Sequence, residues 1–216
     1  LVPPRAPALR DALEAAGRAL GARAHASFLV DRPGVEMLIE NTQPPSLVIP
    51  SGLAALPEAV TAFLAARALD LLGRGWALTG KFAPKDVGIL LELACRFAGG
   101  VPPPLGLPAQ RADAFLAALR RSVPPPIAER ARPLGQAAAE ELARTDLTAL
   151  AASLKRTGAR VALLATGDPG AALSAMVLLD RAPPDPAAAL ARPELRELAL
   201  LALSDPFLDL RVQVLG

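Results

Sequence analysis

Proline is the feature that most limits the folds open to this chain. Of its 216 residues, 23 are proline, and a proline inside a helix removes a backbone hydrogen bond and clashes with the preceding turn. Clusters such as 102–104 and 124–126 divide the chain into short segments. Because 52% of the residues are hydrophobic, disorder through low hydrophobicity is excluded, and we expect a folded protein built of short elements.

The N-terminal part predicts a small sheet. An amphipathic helix is indicated at residues 8–22. Three short apolar runs follow at 26–30, 35–39 and 46–49, and each has the length of a strand. Because residues 31–34 read Asp-Arg-Pro-Gly, a turn sequence, we expect the first two strands to pair as a hairpin.

The rest of the chain is predicted to be helical. Proline and Asp mark helix starts, and Gly marks helix ends. The predicted helices cover about 57–79, 84–98, 108–121, 127–144, 147–166, 169–180 and 193–203. Gly73 and Gly75 are weak points in the first of these helices, residues 183–186 are expected to form a loop, and 206–214 stay ambiguous.

These elements predict a single domain over residues 1–216. Its class is α+β and predominantly α, with a small antiparallel or mixed sheet (about 26–49) followed by a helical bundle. No internal repeat or domain boundary is evident. Since the first residue is Leu1 rather than Met, we expect a fragment of a longer chain.

Composition excludes several functional classes. A formal net charge of +2 argues against binding nucleic acid through phosphate neutralisation. Cys95 and His25 are the only residues of their types, so an intrachain disulfide is impossible and a zinc site of His and Cys ligands is nearly so. No signal peptide or transmembrane segment is recognisable, and we expect a soluble, cytoplasmic protein.

The predicted 57–79 helix carries a charged stripe. Ala66, Arg67, Asp70 and Arg74 share one face of about 100° with Phe63. One interpretation is an ordinary solvated face with charge pairs three and four residues apart. The other is that the stripe lines a cleft.

The second interpretation gains from a family resemblance. Residues 44–53 and 57–78 resemble the edge strand, entry loop and active-site helix of the HtpX-like and CAAX-prenyl-protease group of zinc metallopeptidases (gluzincins). Residues 155–173 resemble the family's ExxAD helix and the segment after it, in the same order along the chain. The similarity covers about 26–180 and depends on apolar pattern and small residues. It implies a zincin-like fold.

The departures from that family concern the catalytic residues. When the helix is matched to the family's HExxH motif, Ala66 stands where the family has its first histidine ligand, and Arg67 stands where it has the general-base glutamate. Asp70 replaces the second histidine ligand, and Lys155 replaces the glutamate ligand. A catalytic zinc needs three protein ligands and an open position for water. These four vestigial active-site positions therefore imply no metal, no cofactor and no peptidase activity.

An ion pair is one specific consequence. If the resemblance holds, Asp70 and Lys155 face each other across the former ligand cage, and we expect a salt bridge between them. Arg67 and Arg74 are competing partners for Asp70, at spacings of three and four residues.

Other candidates receive structural interpretations. Cys95 lies on an apolar helix face, which favours a buried thiol over a nucleophile. Trp76 is expected to anchor the end of its helix in the core, with an exposed contact as the alternative. The main basic concentration, which is open to an acidic partner or membrane headgroups, comprises Arg111, Arg120, Arg121, Arg130 and Arg132.

Three functional hypotheses remain open. The first is a catalytically inactive, metallopeptidase-like domain that binds a protein partner or acts as a scaffold. The second is a non-metal enzyme or small-ligand-binding domain that uses the vestigial cleft with Arg67, Asp70 and Lys155. The third is a purely structural helical domain. Nucleic acid is not expected as a partner, and the oligomeric state stays open.

Overall fold

The computed structural model describes residues 7–22, 24–180 and 185–215. The protein is α+β and predominantly α-helical, with one small mixed sheet in the described residues, as predicted. Its chain forms two compact units. The first combines the stretches Leu1–Lys81 and Leu154–Gly216, and the second is Phe82–Ser153.

The elements follow one another with short connections. The strands are β1 (Ala26–Val30), β2 (Leu38–Glu40) and β3 (Ser46–Pro50). A 3-10 helix, Ser51–Ala55, follows β3. The helices in the described residues are α1 (Pro7–Ala19), α2 (Glu58–Gly73), α3 (Ala77–Lys81), α4 (Pro84–Phe97), α5 (Ala109–Ser122), α6 (Pro125–Arg144), α7 (Leu147–Thr166), α8 (Pro169–Leu179), α9 (Pro186–Leu190), α10 (Pro193–Ala202) and α11 (Asp205–Leu215).

Strand pairing differs from the predicted hairpin. The order is β1-β3-β2, in which β3 is parallel to β1 and antiparallel to β2. Leu47 and Ile49 of β3 are fully buried, so the most apolar strand takes the centre of the sheet. Residues 31–37 form a longer connection than the hairpin required, and β2 begins only at Leu38. Burial of β3 therefore outweighs the local turn sequence.

Helix α2 forms the centre of the first unit. It packs against α1, α8 and β2, and Phe63, Ala65 and Ala66 are fully buried. A helix that is apolar around its circumference belongs in a core. The solvated-face interpretation of the charged stripe is therefore wrong for Asp70, which is buried, and holds for Arg74, which is exposed.

The helix predicted over 57–79 is interrupted. Helix α2 ends at Gly73, and Gly75 has a φ of 72°, a left-handed conformation that glycine adopts without steric cost. The Trp76 amide then donates to the Leu71 carbonyl at 2.9 Å, and α3 begins at Ala77. This reversal brings α3 beside β2.

The second unit has its own small cores. Helix α4 packs against α5 and α6. Cys95 is buried with Ala139 and Leu142, which confirms the structural interpretation of the thiol. Burial raises the pKa of Cys95, so the neutral thiol is favoured.

Local end signals are confirmed at two helices. The Asp146 carboxylate accepts hydrogen bonds from Thr148 and Ala149 at the start of α7. Asp168 accepts one from Ala171 at the start of α8. By contrast, α9 and α11 were not predicted as helices, and residues 183 and 184 of the expected 183–186 loop lie outside the described residues. Within the described chain, no helix is long and apolar enough to cross a membrane.

Candidate functional site

A narrow pocket lies in the first unit, where α2, α3, β2 with its preceding segment and α7 meet. Its volume is about 20 Å³, which is room for slightly more than one water-sized group. Most of its lining is aliphatic, including Leu64, Leu71 and Leu179. The polar and charged lining residues are Glu36, Arg67, Thr79, Lys81 and Lys155.

Arg67 is the least conventional of these residues. Its Nε atom is buried and has no hydrogen-bonding partner among the described residues. Across the described residues, its guanidinium forms neither a hydrogen bond nor an ion pair within 4.0 Å. Buried donors are nearly always paired, because an unpaired one loses its hydration without compensation. An unpartnered guanidinium in a pocket wall therefore calls for a functional explanation.

The electrostatic surroundings of Arg67 act in two directions. Burial lowers its pKa, while the carboxylates of Glu36 and Asp180 act to raise it. Asp180 already pairs with Arg192 at 3.2 Å, and Glu36 is exposed. These carboxylates act on Arg67 through the field rather than by direct contact.

Close packing of α7 positions Arg67. A Cβ placed on Gly158 of α7 would lie 3.7 Å from Cγ of Arg67 and 3.5 Å from the Leu71 side chain. These are ordinary van der Waals distances, so α7 lies against the stem of the arginine at Gly158, and an alanine there would also fit. Lys155, one turn earlier on α7, lines the same pocket and is exposed.

The third cation is already paired. Lys81 Nζ lies 2.5 Å from Glu40 Oε2 on β2, and the Lys81 side chain is 25% exposed. Lys81, Arg67 and Lys155 carry three positive charges, and Glu36 and Glu40 carry two negative charges. The neighbourhood thus has one net positive charge. It suits a single bound anion.

The predicted Asp70–Lys155 ion pair is wrong. Asp70 Oδ1 accepts from Arg74 Nε at 2.7 Å, and its buried Oδ2 has no hydrogen-bonding partner in the described chain. Arg74 lies one turn away on the same helix, so it reaches Asp70 without any long-range constraint. The Arg74 guanidinium also lies 5.1 Å from the Trp76 ring centre, a cation–π distance.

The four vestigial positions thus separate in space. Arg67 and Lys155 line the pocket together. Ala66 is fully buried and Asp70 is buried in its pair with Arg74, and neither lines the pocket. Within the described residues, no group of three or more His, Cys, Asp and Glu side chains is arranged to hold a metal ion.

The remaining candidates lie elsewhere. Trp76 is partly buried and packs against the main core, as expected for an anchor. The five arginines of the basic concentration are all exposed, and they lie on α5 and in the first half of α6. Sequence reasoning missed Glu36, Thr79 and Lys81 as site residues. Glu36 precedes β2, whereas Thr79 and Lys81 both lie on α3. Only the chain reversal at Gly75 and the position of β2 bring these two segments together.

No protein-family model matches this chain, and neither the curated proteins nor the solved structures contain a significant match to it.

Proposed function

We propose that this protein is a non-catalytic binding domain whose pocket receives an anionic group at Arg67. The carrying observation is the buried Arg67 Nε, which has no partner in the part of the chain that the structure describes. A bound anion would satisfy its N–H donors, and a charge-assisted hydrogen bond to a guanidinium is stronger than one between neutral groups. Lys155 at the pocket supports the same preference through its charge.

The sequence hypothesis of a ligand-binding cleft is changed in one respect. Arg67 and Lys155 remain binding residues in this proposal. Asp70 is no longer one of them, because its carboxylate is paired with Arg74. No nucleophile or general base is assigned, since the polar lining consists of three cations, Thr79 and the exposed Glu36.

Thermal unfolding tests the proposal. Wild-type protein is heated in acetate, phosphate or sulfate against chloride at one ionic strength, and the same series is run on Arg67→Gln. Sulfate and phosphate also stabilise proteins nonspecifically. The readout is therefore the part of the anion-induced rise in melting temperature that wild type shows and Arg67→Gln does not. At ten times the Kd, one bound anion adds about 1.4 kcal/mol to the free energy of unfolding.

Two matched controls sharpen this experiment. Arg74→Gln removes an arginine from the same helix that does not line the pocket, and it should keep the anion increment. Asp70→Asn should keep it as well, because Asp70 lies outside the pocket. Equal increments in wild type and Arg67→Gln for every anion would refute the proposal.

A second candidate function follows from the placement of Arg67 beside Lys155. The metallopeptidase resemblance requires all four vestigial positions to meet, and of these Arg67 and Lys155 line one pocket whereas Ala66 and Asp70 do not. That placement supports an inactive, metallopeptidase-like domain that binds a protein partner. A pull-down that compares wild type with Arg67→Glu tests this candidate function. A protein that binds wild type is expected to be absent from the Arg67→Glu sample. Stoichiometric zinc, with proteolysis abolished by chelation, would contradict it.

A further inference from the structure

The sheet of the first unit ends in β2 on one side and in β1 on the other. Strand β2 packs against α2 and α3, and its Glu40 pairs with Lys81. Among the described elements, β3 is the only one against which β1 packs extensively. Charged residues and proline commonly prevent an edge strand from pairing with another chain, and β1 (Ala26–Val30) contains neither. Strand β1 is therefore an edge that is open to pairing.

The backbone of β1 has hydrogen-bonding groups that β3 does not use. The Ala26 amide donates to the Pro45 carbonyl at 2.9 Å, and β1 runs parallel to β3. Because backbone groups alternate in direction along a strand, those of Ala26 and Phe28 point toward β3, and those of Ser27 and Leu29 point away from it. In the described chain, Ser27 and Leu29 form no further backbone hydrogen bond. Their N–H and C=O groups are thus open to a further strand.

These open groups are arranged symmetrically about Phe28, the middle residue of β1. An antiparallel copy of β1 that overlaps all five residues places Phe28 opposite Phe28 of the second copy. Ser27 then lies opposite Leu29 of the second copy, and the two residues exchange both of their N–H···O=C hydrogen bonds. The same exchange occurs on the other side of the two-fold axis. A self-complementary contact of this kind is the commonest in homo-oligomers.

The side chains along β1 also suit a second copy. Phe28 is 47% exposed. In the antiparallel arrangement the two Phe28 residues form a non-hydrogen-bonded pair, in which the side chains are closest and lie on one face of the sheet. Ala26 and Val30 share that face with Phe28, because side chains alternate along a strand. Ala26 lies opposite Val30 of the second copy, so apolar side chains meet along the whole strand.

The residues next to the ends of β1 favour the antiparallel direction. His25 precedes the strand and Asp31 follows it, so an antiparallel copy brings each His25 near Asp31 of the other chain. An imidazole N–H donates to a carboxylate, and the two groups are complementary. A parallel copy would instead place the two Asp31 carboxylates side by side, where like charges repel.

We infer that two copies of this chain associate through antiparallel pairing of β1, centred on Phe28, so that their sheets join into one. This dimer is independent of the anion pocket, which β1 does not line. Stable interfaces bury roughly 1,200–2,000 Å², and a contact between two five-residue strands is smaller. The expected dimer is therefore weak, with a Kd between about 10 μM and 1 mM.

Translational diffusion measured by NMR tests the inference. Wild type is compared between about 10 μM and about 1 mM, and at least about half of the chains are expected in dimers at the highest concentration. The amides of Ser27 and Leu29 are expected to exchange more slowly with solvent as the dimer forms, because they gain acceptors only then.

Two variants and a matched control locate the contact. Phe28→Asp places like charges opposite each other across the two-fold axis. Ser27→Pro removes an outward N–H, and an edge strand tolerates proline where the missing N–H faces solvent. Each should raise the Kd at least tenfold while the circular dichroism spectrum stays that of wild type. Phe115→Asp is the control, because Phe115 is 53% exposed on α5, and it should dimerise as wild type does.

Phe28→Cys tests the register. The Cα atoms of a non-hydrogen-bonded antiparallel pair lie about 4.5 Å apart, which is within the range of a disulfide. Oxidation is expected to convert most of this variant into a covalent dimer that a reductant separates. Phe115→Cys should stay mainly monomeric under the same conditions. The native Cys95 is buried and does not compete.

Three results would overturn the inference. The first is a wild type that diffuses as a monomer at about 1 mM, including the case in which β1 pairs with a strand of another protein instead. The second is a dimer that neither Phe28→Asp nor Ser27→Pro weakens, because the contact would then lie outside β1. The third is a Phe28→Cys variant that cross-links no faster than Phe115→Cys.

Discussion

At the scale of single residues, two buried acidic side chains have different kinds of partner. Asp70 pairs with Arg74, whose side chain is 45% exposed. Glu92 of α4 is fully buried, pairs with Arg96 at 2.9 Å, and accepts the Leu105 amide at 2.7 Å. The Glu92 interaction therefore fixes the 98–108 connection to α4 from inside the second unit.

Glu92→Ala is expected to lower the free energy of unfolding by about 1–3 kcal/mol, because it removes the acceptor of the Leu105 amide and the partner of Arg96, whose side chain is 35% exposed. Glu92→Gln keeps an acceptor and should cost less. Urea denaturation at constant m-value measures both changes.

Glu141→Gln is the matched control for Glu92. Glu141 pairs with Arg144 at 3.0 Å on the surface, where both side chains are more than half exposed. Such pairs contribute about 0–1 kcal/mol. If Glu92→Ala cost no more than Glu141→Gln, the role of Glu92 in holding the connection would be refuted.

At the scale of elements, α6 approaches the end of α4 through glycine. A Cβ on Gly135 would lie 2.5 Å from the Ala98 carbonyl oxygen and 2.9 Å from the Ala98 Cβ, and a Cβ on Gly100 would collide with the Gly135 carbonyl. These separations are far below van der Waals contact, so α6 would have to shift to accommodate an alanine.

Gly135→Ala should therefore lower the free energy of unfolding by about 1–3 kcal/mol, the usual cost of overpacking. Gly73→Ala is a control of opposite sign. A Cβ on Gly73 would point into open space, and the φ of this residue is not positive, so alanine should stabilise by about 0.4–1 kcal/mol. Thermal or urea unfolding of the two variants compares the signs directly, and a stabilised Gly135→Ala would contradict the close approach.

Element boundaries were predictable where the signal is local. Asp146 and Asp168 cap the helices that they were expected to start, and α4, α5 and α6 begin and end near the predicted prolines and glycines. Strand pairing was not predictable from the turn at 31–34, because the centre of the sheet is decided by which strand buries the most apolar surface.

The site was predictable only in part, for the same reason. The wheel of the 57–79 helix identified Arg67, and the family resemblance identified Lys155. Neither the helical wheel nor the resemblance could show that Asp70 pairs with Arg74, or that Lys81 and Glu36 line the pocket. These depend on the break at Gly75 and on tertiary packing around α2, which no local pattern encodes.

At the scale of the whole molecule, the two units differ in the extent of their cores. The largest cluster of buried hydrophobic residues lies in the first unit and includes α1, α2, α8 and the sheet. In the second unit, the two described clusters are small. Local stability generally follows the apolar surface that a segment buries.

Amide hydrogen exchange should reflect that difference. We expect the slowest amides in α2 and β3, and faster exchange in α5 and α6, where fewer apolar side chains are buried. Mass-spectrometric exchange at neutral pH measures this order. Equal or slower exchange in α5 than in α2 would contradict it.

The central claim is that Arg67, which is partly buried in the pocket wall, is retained for binding rather than for stability. A buried N–H donor without a partner, such as its Nε, costs free energy, and a hydrophobic replacement of similar length often stabilises a protein in such positions. Arg74→Met is the control, because it removes the partner of buried Asp70 and should destabilise.

Urea unfolding of wild type and Arg67→Met, each with and without acetate at one ionic strength, is the most direct test. We expect Arg67→Met to raise the free energy of unfolding by about 1 kcal/mol or more without ligand, and to lose the increment that acetate gives the wild type. A variant that is less stable than wild type without ligand, and that gains as much from acetate, would contradict the claim.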